Sequence, residues 1–218
     1  MRNIFDRELE NLNLELIRMG GMIENSIDKA ITALKMQDIE QAQYVIDADK
    51  AIDEECRNIE SKCLKLLLHQ QPMAGDLRLI STALKMITDM ERIGDQASDI
   101  CVICISLAGQ IYIKKLEHIP LMAEKASRMV KLSIDAFVKK DVKLAETVIE
   151  MDNEVDELFN ILKQDLVELI IEDKGNVDQA IDLIMIAKYL EKIGDHAENI
   201  ADWVVFSVTG EHKHKKLF

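Results

Sequence analysis

Met90-Glu91-Arg92-Ile93-Gly94-Asp95-Gln96-Ala97 returns 100 positions later as Leu190-Glu191-Lys192-Ile193-Gly194-Asp195-His196-Ala197. In both copies acidic residues stand four apart around a glycine, so the duplicated block carries chemistry as well as packing. Upstream, Val45-Ile46-Asp47-Ala48-Asp49-Lys50-Ala51-Ile52-Asp53-Glu54 matches Val148-Ile149-Glu150-Met151-Asp152-Asn153-Glu154-Val155-Asp156-Glu157 at an offset of 103. The change of offset puts a three-residue deletion in the turn between the two blocks, Gln70 to Gly75 in one copy and Glu172 to Asn176 in the other, where helix breakers belong. A repeat of this length governs the fold and divides the chain into two similar halves, 1–116 and 117–218.

The 218 residues are 48% apolar and 31% charged but only 4% aromatic, with eight Gly and two Pro, which suits an all-α protein with a real core. Helical apolar spacing predicts helices at 5–36, 39–70, 74–113, 120–139, 142–172 and 177–208, two tandem three-helix bundles related by the internal repeat. Asp38 and Asp141 stand at matching positions as N-caps, Pro72 stops the second helix, and His118-Ile119-Pro120 marks the joint between halves. No apolar run is long enough to span a bilayer, and the acidic N-terminus does not read as a signal peptide, so a cytoplasmic location is expected. A formal charge of −13 opposes contact with nucleic acid or anionic lipid and favours cations or basic partners.

Cys101-Val102-Ile103-Cys104 has redox or zinc spacing, but it lies in an apolar helical run without a second pair. Cys56, Cys63, Cys101 and Cys104 therefore read as small core residues. His196 points about 100° away from Asp195 around its helix and reads as a surface or interface histidine. His212 and His214, in a charged tail, read as part of a frayed terminus.

Residues four apart on a helix share a face. Glu91, Asp95 and Asp99 form one acidic row; Glu191, Asp195 and Asn199, Asp49 with Asp53, and Asp152 with Asp156 form the others. Each row falls on a meridian that also holds apolar residues, such as Leu77, Leu84 and Val102 in the third helix, and Val177, Ile181 and Ile184 in the sixth. Like charges four apart cost roughly 0.2–0.5 kcal/mol per pair even when exposed, and more where solvent is scarce. A solvated face neutralised by Arg92, Lys192 and Lys50 is the plain alternative. Four rows repeated in both halves favour carboxylates without Lys or Arg partners that need protons or a cation. Hard oxygen donors select Mg, Ca, Mn or higher-valent iron. Gly94 and Gly194, costly inside helices, suggest close approach of a neighbouring helix or an ion.

Gln71-Pro72-Met73-Ala74-Gly75-Asp76-Leu77-Arg78-Leu79-Ile80, followed by Asp89-Met90-Glu91-Arg92-Ile93-Gly94-Asp95, resembles the signature of the PhoU family of bacterial phosphate-uptake regulators. Tyr189 to Ala201 and the ending Val208-Thr209-Gly210-Glu211 resemble it too, so the likeness covers essentially the whole chain. The resemblance implies multinuclear metal clusters, iron first with Mg, Mn, Ca or Zn as alternatives, on motifs that fall at Asp49 and Asp53, Glu91 and Asp95, Asp152 and Asp156, and Glu191 and Asp195. It also implies a negative regulator of phosphate uptake and of the phosphate-starvation response, an adaptor between the phosphate ABC transporter and a sensor histidine kinase. Such a protein meets the membrane only through protein partners, and the resemblance allows a homodimer. Asn199, where the first half has Asp99, takes one charge from the second cluster.

An iron storage or oxidase protein is the competing class, because carboxylate-bridged iron also occurs inside helical bundles. Those sites use Glu-x-x-His pairs, whereas the residues three beyond Glu91 and Glu191 are Gly94 and Gly194, so an enzyme is not expected. A purely structural adaptor rigidified by metal is a third reading.

Overall fold

The computed structural model describes residues 2–70 and 74–212; the proposed stop at Pro72 and His214 lie outside the described residues. The described residues form α1 (Arg2–Met36), α2 (Ile39–Gln70), α3 (Ala74–Leu107), α4 (His118–Lys139), α5 (Val142–Glu172) and α6 (Val177–Thr209). A 3-10 turn, Lys174–Asn176, leads into α6. Two tandem three-helix bundles result, as the repeat predicts.

α2, α3, α6 and α5 lie side by side in that order. α1 packs on α2 and α3, α4 packs on α5 and α6, and α1 touches α4, so two helices back a layer of four. The backing helices are amphipathic in the simplest way. Leu12, Leu16, Met19, Ile23, Ile27, Ala30 and Leu34 recur every three or four residues along α1 and are fully buried. Each of the larger ones gains roughly 1.5–3 kcal/mol of transfer free energy on burial. α4 does the same with Met122, Ala126, Met129, Val130 and Phe137. α3 packs against α6 and so joins the halves, and Met90, Ile93, Ala97 and Ile100 of α3 and Leu190, Ile193, Ala197 and Ile200 of α6 are all buried.

The turn inside each half is built in the same way. Gln37 and Lys140 sit in the left-handed region at φ 54° and 53°, and the next residue caps the following helix. Asp38 accepts from the Gln41 amide at 3.0 Å and Asp141 from the Leu144 amide at 3.1 Å, as expected of both aspartates.

The ends of the two helices that flank the connector differ from expectation. α3 stops at Leu107 rather than 113, because the chain turns at Gly109 with φ 79°, where only glycine is unstrained. The apolar pattern of Ile111 to Ile113 continues for another reason. Ile111 is 93% exposed, while the Tyr112 hydroxyl donates to Leu34 O at 2.6 Å and the Ile113 amide to Gln179 Oε1 at 2.6 Å. Pro120 lies inside the first turn of α4, which begins at His118, since a first-turn residue needs no amide donor.

Candidate metal centres

α2 and α3 bring Asp49, Asp53 and Asp95 together, each offering an oxygen within 4.8 Å of the others. α5 and α6 do the same for Asp152, Asp156 and Asp195. The glycines make this approach available. A β-carbon at Gly94 would stand 3.0 Å from Asp49 Oδ1 and 3.2 Å from Ile52, and one at Gly194 would stand 2.9 Å from Asp152 Oδ1. Each glycine thus leaves a recess in its helix, filled by an aspartate of the neighbouring helix.

Asp49 Oδ1 and Asp152 Oδ1 are buried and have no hydrogen-bond partner among the described residues. A buried oxygen left unpaired costs about 1–3 kcal/mol, more if charged, so these two atoms call for a proton or a cation. Burial, then Asp95, Asp53, Asp99 and Glu91, push the Asp49 carboxyl up to about 6. Burial, then Glu198, Asp156, Asp195 and Glu191, push Asp152 up to about 7. Asp95, Asp99 and Asp156 are raised as well, burial being the first cause in each. The donors are all carboxylates, so they fit a hard cation rather than a thiophilic one.

Three features depart from the sequence reading. The rows run along the edge of the core, not on a buried stripe: Leu64, Leu77, Val102, Val167 and Ile181 beside them are exposed. A helix covered by α1 or α4 on one side turns this meridian towards the open side of the four-helix layer. Second, the carboxylates are not free of basic partners. Arg92 stands 3.6 Å from Asp95, Lys188 lies 2.6 Å from Glu191, and Lys192 reaches both Glu191, at 3.5 Å, and Asp195. Three of these pairs join residues three apart on one helix, and the fourth joins the adjacent Glu191 and Lys192.

Third, Asn199 is exposed and outside the close groups, but its loss of charge is made good by Glu198, which faces Asp152. Glu198 lies seven residues beyond Glu191, about 20° from its meridian, and that spacing could have identified it. Cys56 was also missed: its Sγ lies 3.9 Å from Glu91 Oε2, and burial followed by Glu91 pushes the thiol up to about 11. In the metal-free protein it is a neutral thiol beside Glu91. Cys63, Cys101 and Cys104 are buried, as expected.

The clusters meet the α3–α6 seam at two polar contacts. His196 Nδ1 lies 2.9 Å from Asp89 Oδ1 of α3, which makes it an interface histidine, and Tyr189 of α6 donates to Asp99 of α3. His212 is not frayed. It pairs with Asp202 at 2.6 Å and stacks on Phe206 with ring centres 4.6 Å apart, because the chain folds back over α6 after Gly210.

The PhoU domain model matches this chain twice, at residues 16–103 and 119–204. The phosphate-specific transport system accessory protein PhoU homolog of Clostridium acetobutylicum is 37% identical over 211 residues, 96% of each chain. The Escherichia coli K12 protein of that name is 30% identical over 207 residues, 95% of this chain and 86% of its own length. Among solved structures, PhoU from Pseudomonas aeruginosa superimposes with a TM-score of 0.90 at 35% identity, over 95% of this chain and all of the other. The phosphate transport system regulatory protein PhoU from Streptococcus pneumoniae gives 0.89 at 25% identity, over 96% and 99%. No helix among the described residues is long and apolar enough to cross a membrane.

Proposed function

The chain belongs to the PhoU family, and on that premise we propose that it is an accessory regulator of phosphate-specific transport that binds metal at its two acidic centres. In this reading it restrains phosphate uptake and keeps the phosphate-starvation genes off when phosphate is plentiful, linking the transporter to a sensor histidine kinase from the cytoplasmic side. The name that its relatives carry, accessory protein of the phosphate-specific transport system, supports the regulatory part. The observation that carries the metal part is the pair of buried, unpartnered oxygens, Asp49 Oδ1 and Asp152 Oδ1, at equivalent places in the two halves.

Asp49, Asp53 and Asp95 would hold metal in one half and Asp152, Asp156 and Asp195 in the other, with Glu91, Asp99, Glu191 and Glu198 supplying further negative charge. Bound iron or another hard cation would neutralise carboxylates that otherwise repel one another, stiffening the α2–α3 and α5–α6 contacts. The partner would then meet one defined face. A storage or oxidase role has less support, since no histidine stands among the residues that converge on either centre.

Reporter expression from a phosphate-starvation promoter tests the regulatory reading. Deletion of this protein should leave the reporter on in phosphate-rich medium, and the Asp49→Asn/Asp152→Asn variant, at matched protein level, should separate signalling from folding. Full repression in a deletion strain without a second copy would overturn the regulatory assignment.

A further inference from the structure

Five carboxylates surround each centre: Asp49, Asp53, Glu91, Asp95 and Asp99 in the first half, and Asp152, Asp156, Glu191, Asp195 and Glu198 in the second. What differs is the cations they face. In the first half Glu91 has no ion pair among the described residues, its neighbour being the neutral Cys56 thiol, while Asp95 faces Arg92 at 3.6 Å and, across the seam, His196. In the second half Glu191 is held by Lys188 at 2.6 Å and by Lys192 at 3.5 Å, and Lys192 also pairs with Asp195. Lys192 corresponds to Arg92 in the repeat. Lys188 corresponds to Thr88, an exposed residue whose hydroxyl donates to the Leu84 carbonyl, so its charge is an addition of the second half.

We infer that the halves are unequal acceptors of divalent cations: the first is open, and the second carries its own counter-ions, Lys188 and Lys192, which an incoming cation must displace. The inference rests on the metal reading above and adds an order of filling. An ammonium at hydrogen-bond distance already supplies part of the attraction that a divalent ion would gain, and the two cations repel if both remain. Lys188 has somewhere else to go. Its Nζ lies 5.4 Å from the Phe159 ring centre, on which it can settle when Glu191 is taken by metal. The first centre would therefore fill at low metal and the second only at higher metal, giving one chain two thresholds.

Calorimetric titration of the chelator-stripped full chain with Mn²⁺ tests this. The expected result is two classes of site, the tight one lost in Asp49→Asn and the weak one lost in Asp152→Asn. Lys188→Thr, which copies the first half, should tighten the weak class roughly tenfold. The reciprocal Thr88→Lys, at an exposed position that tolerates it, should weaken the tight class by a similar factor. Two classes of equal affinity, loss of the tight class in Asp152→Asn, or no response to either swap would overturn the order of filling while leaving the metal reading intact. Absence of Mn²⁺ binding to the wild type would overturn both.

Discussion

Asp49 and Asp152 occupy the same place in the repeat, each lying against a helical glycine, yet burial and neighbouring charge push the Asp49 carboxyl up to about 6 and that of Asp152 up to about 7. The backbone arrangement is common to both: an aspartate on the second helix of the half, a glycine on the third, and an oxygen buried between them. What differs is the surroundings. In the first half the fifth carboxylate, Asp99, is engaged by Tyr189 across the seam, whereas in the second Glu198 is the largest charge acting on Asp152. Duplication kept the close helix approach beside each glycine and let the charges around it drift.

The largest expected effect concerns metal. A cation that binds only the folded state stabilises it by about 2.7 kcal/mol at a hundred times its dissociation constant. Thermal melts with Mn²⁺ and with chelator should therefore differ in the wild type, and Asp49→Asn and Asp152→Asn should each remove a separate part of the difference. If either single variant removed all of it, the halves would not be separate centres. In chelator the Asp49→Asn/Glu91→Gln variant should melt above the wild type, because repulsion is relieved. A lower melting temperature would mean that ion pairs hold these carboxylates.

The glycines sharpen the comparison at a smaller scale. A methyl group at Gly94 meets Ile52 at 3.2 Å as well as Asp49, so Gly94→Ala should lose about 1–2 kcal/mol despite the helix propensity that alanine gains. At Gly194 the nearest atom is the end of a movable carboxylate and Val155 is 3.6 Å away, so Gly194→Ala should be close to neutral in stability. Urea denaturation in chelator measures both. Equal losses would mean that the two helix contacts are equally tight.

The pH dependence of the metal-free protein separates the halves as well. Both aspartates have raised values in the folded state, so their contribution to stability is fully present below the ordinary carboxylate range. It is lost as pH rises through about 6 for Asp49 and about 7 for Asp152. Relative to wild type, Asp152→Asn should gain stability up to the higher pH and Asp49→Asn should level off earlier. Denaturant midpoints from pH 5 to 8 give the two curves, and curves levelling at the same pH would erase the distinction between the halves.

The helices, their caps and the pairing of the acidic rows were legible because each follows from local spacing: 3.6-residue periodicity, an aspartate after a turn, carboxylates four apart. The connector was not. Ile111 and Ile113 continue the helical pattern, and only Gly109 and the distant Gln179 reveal that the chain leaves the helix there. The ion pair of Lys192 was open as the plain alternative, but that of Lys188 was not legible, since a long side chain on the margin of a row can turn either to solvent or to its neighbour three residues on. Glu198 was hidden by the attention given to four-residue steps, and the ordered place of His212 depends on Phe206 and Asp202, which become its neighbours only when the chain reverses at Gly210.

Anomalous scattering from crystals of the metal-loaded protein decides whether the two acidic centres hold metal. Peaks are expected within bonding distance of Asp49, Asp53 and Asp95, and of Asp152, Asp156 and Asp195, with the first half occupied at the lower metal concentration. Peaks confined to the histidines near the C-terminus, with none at either acidic centre, would contradict it.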